Sequence, residues 1–480
     1  MPTGNHTLTG PRFPSIIAIA CLLGSGGYAS ASSENRPSTA GPDYDYVDAM
    51  MLPLPPFHGP TLLQDGKTAS TTAEFTQFLV ALNAATYQQV PPSSGVAGEA
   101  AFLEMKRYLQ NRYNGVTVVQ SLKQDGAISD CIPVGEQPGL RDGSAVASPP
   151  SANPHGSAVS ELTAGEQCPR GAIPLERIGL DQLTHFATLK QFLSKGALPR
   201  PPGASPVSAA ETFTAIHHYA SIYEDTAGAL IAGAGADLNI WNPAFATAND
   251  YLSISQIWLV SADFQQSLEV GWRRQPGYPN WGDKSILFIY STQDGYASTG
   301  CHNLECGQFV QTASGNVFGV AFAANRYSVK NGTQGMVKVA FKRNSDGNWW
   351  LSVDGHWIGY YKASLYTGGD LASPSASTRI SAGGETHAYA NAPSTPMGSG
   401  VFAAKGYRQA AFQANHFYID DSLKTHALTN LTGFAVTNPD CYTMAVAGLS
   451  YNRSSTGVSR ITPSPEMTTS GFYFGGPGCH

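Results

Sequence analysis

Ser267-Leu268-Glu269-Val270-Gly271-Trp272 alternates apolar with small or polar residues at a period of two. Successive side chains of an extended strand point to opposite faces. Leu268, Val270 and Trp272 therefore share one face, and Ser267, Glu269 and Gly271 the other. Ser381-Ala382-Gly383-Gly384-Glu385-Thr386-His387 repeats the arrangement, with Ser381, Gly383, Glu385 and His387 together. In both stretches a carboxylate stands among residues with very small side chains, which leaves room on that face for another molecule. Two such glutamates can supply one acid and one base, which suits hydrolysis by an activated water. A glutamate in a long chain is ordinarily a solvated surface charge or half of a weak ion pair. The shared context sets these two apart.

The same alternation recurs around them. It marks Asp237–Trp241, Tyr251–Val260, Gln266–Arg273, Ile286–Tyr290 and Phe318–Phe322, then Val337–Lys342, Trp349–Val353, Trp357–Tyr361, Ala410–Ile419 and Phe472–Phe474. Turn signals such as Ser345-Asp346-Gly347-Asn348 and Asp354-Gly355 separate them. Many short strands with few helices predict an antiparallel sandwich or barrel. Upstream the pattern changes. Phe75, Phe78, Leu79 and Leu82 sit at helical spacing, as do Phe102, Met105 and Leu109 in a second helix over Gly98–Tyr113. A strand is expected at Val116–Leu122 and a helix at Asp181–Ser194. Leu198-Pro199-Arg200-Pro201-Pro202-Gly203-Ala204-Ser205-Pro206 then reads as a stiff, exposed linker between two folding units.

The 480 residues are enough for a large core, and only 13% are charged against 42% hydrophobic. The 51 Gly, 22 Tyr and 21 Phe favour turn-rich β structure. A net charge of −6 gives no reason to expect a nucleic-acid or anionic-membrane partner. Arg12, the apolar run Ile16–Leu23 and Ala29-Ser30-Ala31 read as an export signal too short to anchor in a bilayer. Cys21 after Ala20 leaves a weaker lipoprotein reading. Six further cysteines in an exported chain point to disulfides. Fifteen pairings are open, and proximity in sequence favours Cys131–Cys168, Cys301–Cys306 and Cys441–Cys479.

Other chemistries lack their residues. There is no G-x-S-x-G elbow, H-E-x-x-H helix or phosphate-binding glycine loop, and Asp225-Thr226-Ala227 is not Asp-Thr-Gly. Cys301-His302 with Cys306 lacks a second half for zinc. His217-His218 would point to opposite faces of a strand, so a structural or surface role is expected for them. No metal and no cofactor is expected.

A dispersed series of motifs resembles the neprosin family of secreted glutamic peptidases. It runs from Asp237-Leu238-Asn239-Ile240-Trp241-Asn242-Pro243 through Ser255-Gln256-Ile257-Trp258 and Glu269-Val270-Gly271-Trp272. Asp294-Gly295-Tyr296, Thr299-Gly300-Cys301-His302-Asn303-Leu304, Gly347-Asn348-Trp349-Trp350-Leu351 and Gly383-Gly384-Glu385 follow. Met397-Gly398-Ser399-Gly400 and Tyr473-Phe474-Gly475-Gly476-Pro477-Gly478 complete it. The first part is similar to that family's activation peptide, best at Asp125-Gly126 through Asp130-Cys131-Ile132.

The resemblance implies an all-β catalytic domain, a β-sandwich of two antiparallel sheets, behind a smaller helix-containing (α+β) pro-domain. The expected organisation is a signal peptide at 1–31, activation peptide at 32–198, linker with the processing site at 199–211, and catalytic sandwich at 212–480. Glu269 and Glu385 fall on the family's catalytic glutamates. Cutting after proline, at acid pH, is implied with them, as is a pro-domain that blocks the cleft until removed. The expected partners are proline-rich protein or peptide substrates and the chain's own pro-domain, with the protein acting outside the cell as a monomer.

Gln256, Trp258, Trp272, Tyr290, Gly383 and Gly384 are candidates for the cleft. Plain sandwich core is the competing reading for Trp258, and Trp272, Tyr290 and Trp350 share that ambiguity. His387 either tunes Glu385 or lies at the surface. Two other classes fit paired carboxylates on an aromatic-rich sandwich: a glycoside hydrolase, which would release sugar using both glutamates, and a lectin-like module, which would bind without either.

Overall fold

The computed structural model describes residues 70–479, apart from 125, 157–165, 196–214, 225, 246–250, 277, 279–280, 316, 390–393, 429–430, 447–450, 453–459 and 462–470. The expected signal peptide and the linker at 199–211 lie outside the described residues. The described residues form one compact unit.

The amino-terminal part begins with helices α1 (Ala73–Ala84) and α2 (Glu99–Tyr113). Thr72 caps α1 through its side chain, which accepts from the Phe75 amide. A small sheet follows, β1 (Gln120–Gln124), β2 (Ala127–Pro133) and β3 (Ala172–Glu176). The strand expected at 116–122 therefore starts only at Gln120. The helix expected at 181–194 is two short ones, α3 (Leu180–Leu183) and α4 (Leu189–Leu193). The break has a cause. The Thr184 and Ala187 carbonyls accept from the amides of Gly95, Val96 and Ala97 instead of continuing the helix, and Thr188 starts α4 by capping Gln191.

The rest is β. In chain order the strands are β4 (Ala215–Glu224), β5 (Ile231–Asn239), β6 (Leu252–Val260), β7 (Ser267–Arg274), β8 (Ile286–Thr292) and β9 (Cys301–His302). Next are β10 (Phe309–Gln311), β11 (Met336–Arg343), β12 (Trp349–Val353), β13 (His356–Tyr361) and β14 (Arg379–Tyr389). The last are β15 (Ala411–Asp420), β16 (Thr425–Ala427), β17 (Leu431–Val436), β18 (Thr443–Val446) and β19 (Phe472–Gly475). Phe318–Phe322 is not a strand; Ala321 makes only an isolated bridge to Ile286.

One sheet has seven strands in the order β17-β4-β14-β6-β7-β8-β9. The other has nine, β10-β13-β12-β11-β5-β15-β19-β18, with β16 beside β15. All their pairings are antiparallel. The sheets close on one apolar core, to which β7 gives Leu268, Val270 and Trp272 and β11 gives Val339 and Phe341. This is the sandwich that period-two alternation predicts. The disulfides are Cys131–Cys168, Cys301–Cys306 and Cys441–Cys479.

The amino-terminal part docks on the sandwich through buried polar contacts. Tyr108 on α2 donates to the Glu305 carbonyl at 2.6 Å, and Arg112 donates to the Leu304 carbonyl at 2.7 Å, both inside the loop that Cys301–Cys306 closes. Gln137 exchanges two hydrogen bonds with the Gln311 backbone, at 2.9 and 2.7 Å.

Gly383 and Gly271 matter for strand spacing as well as for room. A Cβ on Gly271 would lie 2.0 Å from the Ser255 carbonyl oxygen. One on Gly383, which has φ of +146°, would lie 2.2 Å from the Ala220 carbonyl oxygen. The Gly383→Ala variant is expected to lose about 1–3 kcal/mol from backbone strain alone, a fall of about 1–4 °C in melting temperature. An unchanged melting curve would show that β14 and β4 do not need this glycine.

Candidate active site

Strand register brings the two glutamates together. On β7, Glu269 is opposite Trp258 of β6 and Tyr290 of β8. On β14, Glu385 is opposite Ile254 of β6 and Tyr219 of β4. Strand β6 runs between β7 and β14, and its Gln256 stands between Gly271 and Gly383. These residues share the sheet face turned away from the sandwich core.

Each carboxylate has its own donors. Glu269 Oε1 accepts from the Tyr296 hydroxyl at 2.6 Å and from Ser267 Oγ at 3.0 Å. Glu385 Oε2 accepts from Gln256 Nε2 at 2.8 Å. Its Oε1 faces His387 Nε2 at 2.7 Å, His217 Nδ1 at 3.0 Å and the Tyr219 hydroxyl at 3.3 Å. Tyr290 stacks on Tyr296 with ring centres 5.9 Å apart. Tyr296 is fixed by its loop: its amide donates to Thr292 Oγ1, and Asp294 collects the amides of Ser298 and Thr299.

Between the carboxylates lies Lys195. Its ammonium is 2.5 Å from Glu269 Oε2 and 2.9 Å from Glu385 Oε2, and it sits 5.4 Å from the Trp258 ring centre. It comes from the amino-terminal part, just beyond α4. Leu189, Phe192 and Leu193 are buried there, and Phe192 stacks on Tyr278. The lysine is 5% exposed and the glutamates 0% and 1%. Desolvation costs several kcal/mol per buried ion, and two carboxylates around one ammonium are what offsets it.

The charge states follow from this arrangement. Burial alone would raise the Glu385 pKa, but the Lys195 charge and the hydrogen bonds from His217 and His387 hold it well below the usual carboxylate range. Burial would lower the Lys195 pKa, and the two glutamates keep it raised. Burial, with the His217 charge beside it, depresses His387 to about 3. Burial and the Glu269 charge push the Tyr296 phenol well above its ordinary value, so it remains a donor. A face carrying two carboxylates with separate donor sets, one side chain's width apart, can hold a water and a carbonyl between an acid and a base.

Gln256, Trp258 and Tyr290 lie at this site. Trp272 does not: its ring is in the sandwich core and its Nε1 donates to the Asn239 carbonyl. Gly384 also faces the core, where a Cβ would meet Phe474 and Met397. Trp350 belongs to the other sheet. His387 is buried against Glu385. The alternation of His217 and His218 holds, yet it turns His217 inward onto Glu385, while His218 lies beside Tyr442. Sequence reading passed over Lys195, Tyr296, Tyr219 and the inward role of His217. Tyr296 was legible only as part of a motif; for the others nothing local signals which residues a distant register will bring together. Nitrogen and oxygen atoms of His217, Glu385 and His387 lie within 4.8 Å of one another, close enough to share a cation.

The Tyr296 bond to a buried carboxylate is a charge-assisted one, worth about 1.5–3 kcal/mol. The Tyr296→Phe variant is therefore expected to turn over about 10–100-fold more slowly with an intact fold. Unchanged turnover would remove Tyr296 from the site's working parts.

Residues 249–477 match the family model described as Neprosin, a span that includes Gln256, Glu269, Tyr296, Glu385 and His387. Among solved structures, scytalido-glutamic peptidase with a peptide-based transition-state analogue aligns over 55% of this chain and 99% of its own, with 9% identity and a TM-score of 0.26. SCP-B, a member of the eqolisin family of peptidases in complex with the tripeptide Ala-Ile-His, aligns over the same shares at 9% identity and a TM-score of 0.26. The CBM40 of the Ruminococcus gnavus IT-sialidase aligns over 36% of this chain and 91% of its own, at 10% identity and a TM-score of 0.15.

Proposed function

We propose, from the match of residues 249–477 to the Neprosin family model, that this chain is a glutamic-type peptidase, made as an exported precursor, that cuts peptide bonds after proline in acid. One observation carries the reading: Glu269 and Glu385, both buried, are bridged by Lys195 from the amino-terminal part. A pro-domain lysine between the two carboxylates occupies the place a water and a scissile carbonyl would take. Cutting in the linker at 199–211 would release it, and Pro199, Pro201, Pro202 and Pro206 make that linker a substrate for the enzyme itself.

The donor sets suggest the division of labour. Glu385 faces Gln256, Tyr219, His217 and His387, which favour its ionised form. It takes the proton from water. Glu269 holds the shared proton, hydrogen-bonds the carbonyl oxygen as negative charge builds there, and passes the proton towards the leaving nitrogen. Two carboxyls facing one water do not both ionise readily, so the pair keeps one proton only in acid. Activity is lost as pH rises through the upper apparent value of the pair.

The test is cleavage of paired fluorogenic peptides, differing only by proline or alanine before the scissile bond, from pH 3 to pH 7 after processing. Preferential cleavage after proline, falling towards neutrality, is expected. Equal rates on both peptides would remove the proline preference, and a rate rising towards neutral pH would remove the shared-proton mechanism.

A further inference from the structure

A second contact between the two parts lies far from the glutamates. Residues 147–155 cross the outer face of the nine-stranded sheet, over a row of cross-strand neighbours: Val310, Tyr360, Trp350, Lys342, Gly233 and Ile419. The next row carries Ser352, Ala340, Gly235 and Phe417. At one end Trp350 packs against Tyr360 and Trp357, with ring centres 4.8 and 6.1 Å away. At the other, Phe417 and Ile419 lean over Gly235 and Gly233, so near that a Cβ on either glycine would be 2.5 or 2.8 Å from them. Between the aromatic ends the small residues leave a shallow trough.

The segment in it is Ala147-Ser148-Pro149-Pro150-Ser151-Ala152-Asn153-Pro154-His155. The Ala147 amide donates to the Tyr360 hydroxyl at 3.0 Å, and Lys342 Nζ donates to the Ala152 carbonyl at 3.1 Å. Ser352 Oγ donates to Asn153 Oδ1 at 2.8 Å, Pro150 is buried, and His155 meets Phe417 edge-on at 5.5 Å. Aromatic rings, with a lysine that donates to a backbone carbonyl, suit an extended proline-rich chain, whose backbone is rich in acceptors and already stiff. The fit leaves buried polar atoms without partners. Trp350 Nε1 is buried with no hydrogen-bond partner, as are Asn153 Nδ2 and both His155 ring nitrogens. A different chain whose carbonyl reached Trp350 Nε1 would gain a bond that the present occupant lacks.

We infer that this face is an exosite: once the amino-terminal part leaves, it binds proline-rich extended segments of substrates, and in the precursor residues 147–155 occupy it as a surrogate. The inference rests on the peptidase reading for its purpose, but binding can be read without turnover.

The experiment uses the full chain with Glu385→Gln to prevent cutting and with residues 148–154 replaced by glycine and serine, which opens the trough. A synthetic peptide of residues 145–156 is titrated by calorimetry, alongside the same peptide with Pro149, Pro150 and Pro154 changed to alanine. The native peptide is expected to bind at least about 10-fold more tightly. Adding Trp350→Phe, which keeps an aromatic ring but removes the indole N–H, should leave the affinity of the native peptide unchanged, because that segment makes no bond to Nε1. No binding by a folded chain overturns the exosite; equal binding of both peptides overturns proline-rich recognition. Should the replaced chain not fold, the unaltered precursor serves. Excess native peptide should displace residues 147–155 and speed their cleavage by an added protease, and an unchanged rate would overturn the inference.

Discussion

A precursor carrying Lys195→Met is expected to cleave peptides at pH 4 before any part of its chain is cut. Removing the central cation from a buried triad costs about 3–5 kcal/mol, because it leaves charges with no partner. Here the abandoned groups are the two glutamates that, on the proposed reading, the amino-terminal part keeps covered. Glu385 is held well below its usual pKa in the precursor, with the Lys195 charge a principal cause. A depressed carboxylate adds stability above its unfolded value of about 4.3 and loses it as pH falls through the folded value. Acid therefore loosens the wild-type clamp, and neutral pH holds it shut. Without the ammonium the sign reverses: two facing carboxylates repel most when both are ionised, so the variant is loosest at neutral pH. The initial rate on a fluorogenic peptide within minutes of mixing at pH 4, where the pair still shares a proton, should exceed that of the wild-type precursor by about 100-fold. A variant as silent as wild type until the linker is cut would mean that steric cover alone keeps the precursor latent.

The second large effect is on the chemistry. Glu269→Gln and Glu385→Gln keep the size of each side chain and remove its ability to exchange a proton. General acid–base contributions run to about 10²–10⁴-fold, and groups working as one unit are not additive. Each variant, freed of its amino-terminal part by an added protease, is expected to lose about 10³-fold or more in kcat. The double variant should be little worse than either single one. The donors of Glu385 also point to a difference between them. If Glu385 is the base, Glu385→Gln removes the water-activating step at every pH, and no shift to lower pH recovers it. A Glu385→Gln enzyme within 10-fold of wild type would end the pairing.

Much of this was legible because the relevant signal is local. Leu268, Val270 and Trp272 alternate with Ser267, Glu269 and Gly271 whatever the rest of the chain does, and that alternation predicts a half-buried strand with its carboxylate off the core. It also decides Trp272: on strict alternation the ring had to face the core, and the structure puts it there. Gly384 has the opposite parity to Glu385 and goes to the core for the same reason. What stayed hidden depends on register and on tertiary competition. The pairing of His387 with His217, and of Glu385 with Tyr219, is set by how β4 slides on β14, which no window of sequence contains. The 181–194 helix breaks because residues 95–97 take its carbonyls. Lys195 is an ordinary lysine at the end of a short helix until the fold sets it between two acids.

The most direct test follows the mass of the purified full chain at about pH 3–4, below the unperturbed glutamate value, for wild type, Glu269→Gln and Glu385→Gln. The account predicts that wild type alone sheds an amino-terminal fragment ending within residues 199–211, and that wild-type enzyme added in trace cuts both variants at the same place. Shedding at that position by either variant on its own, with no other protease present, would contradict it.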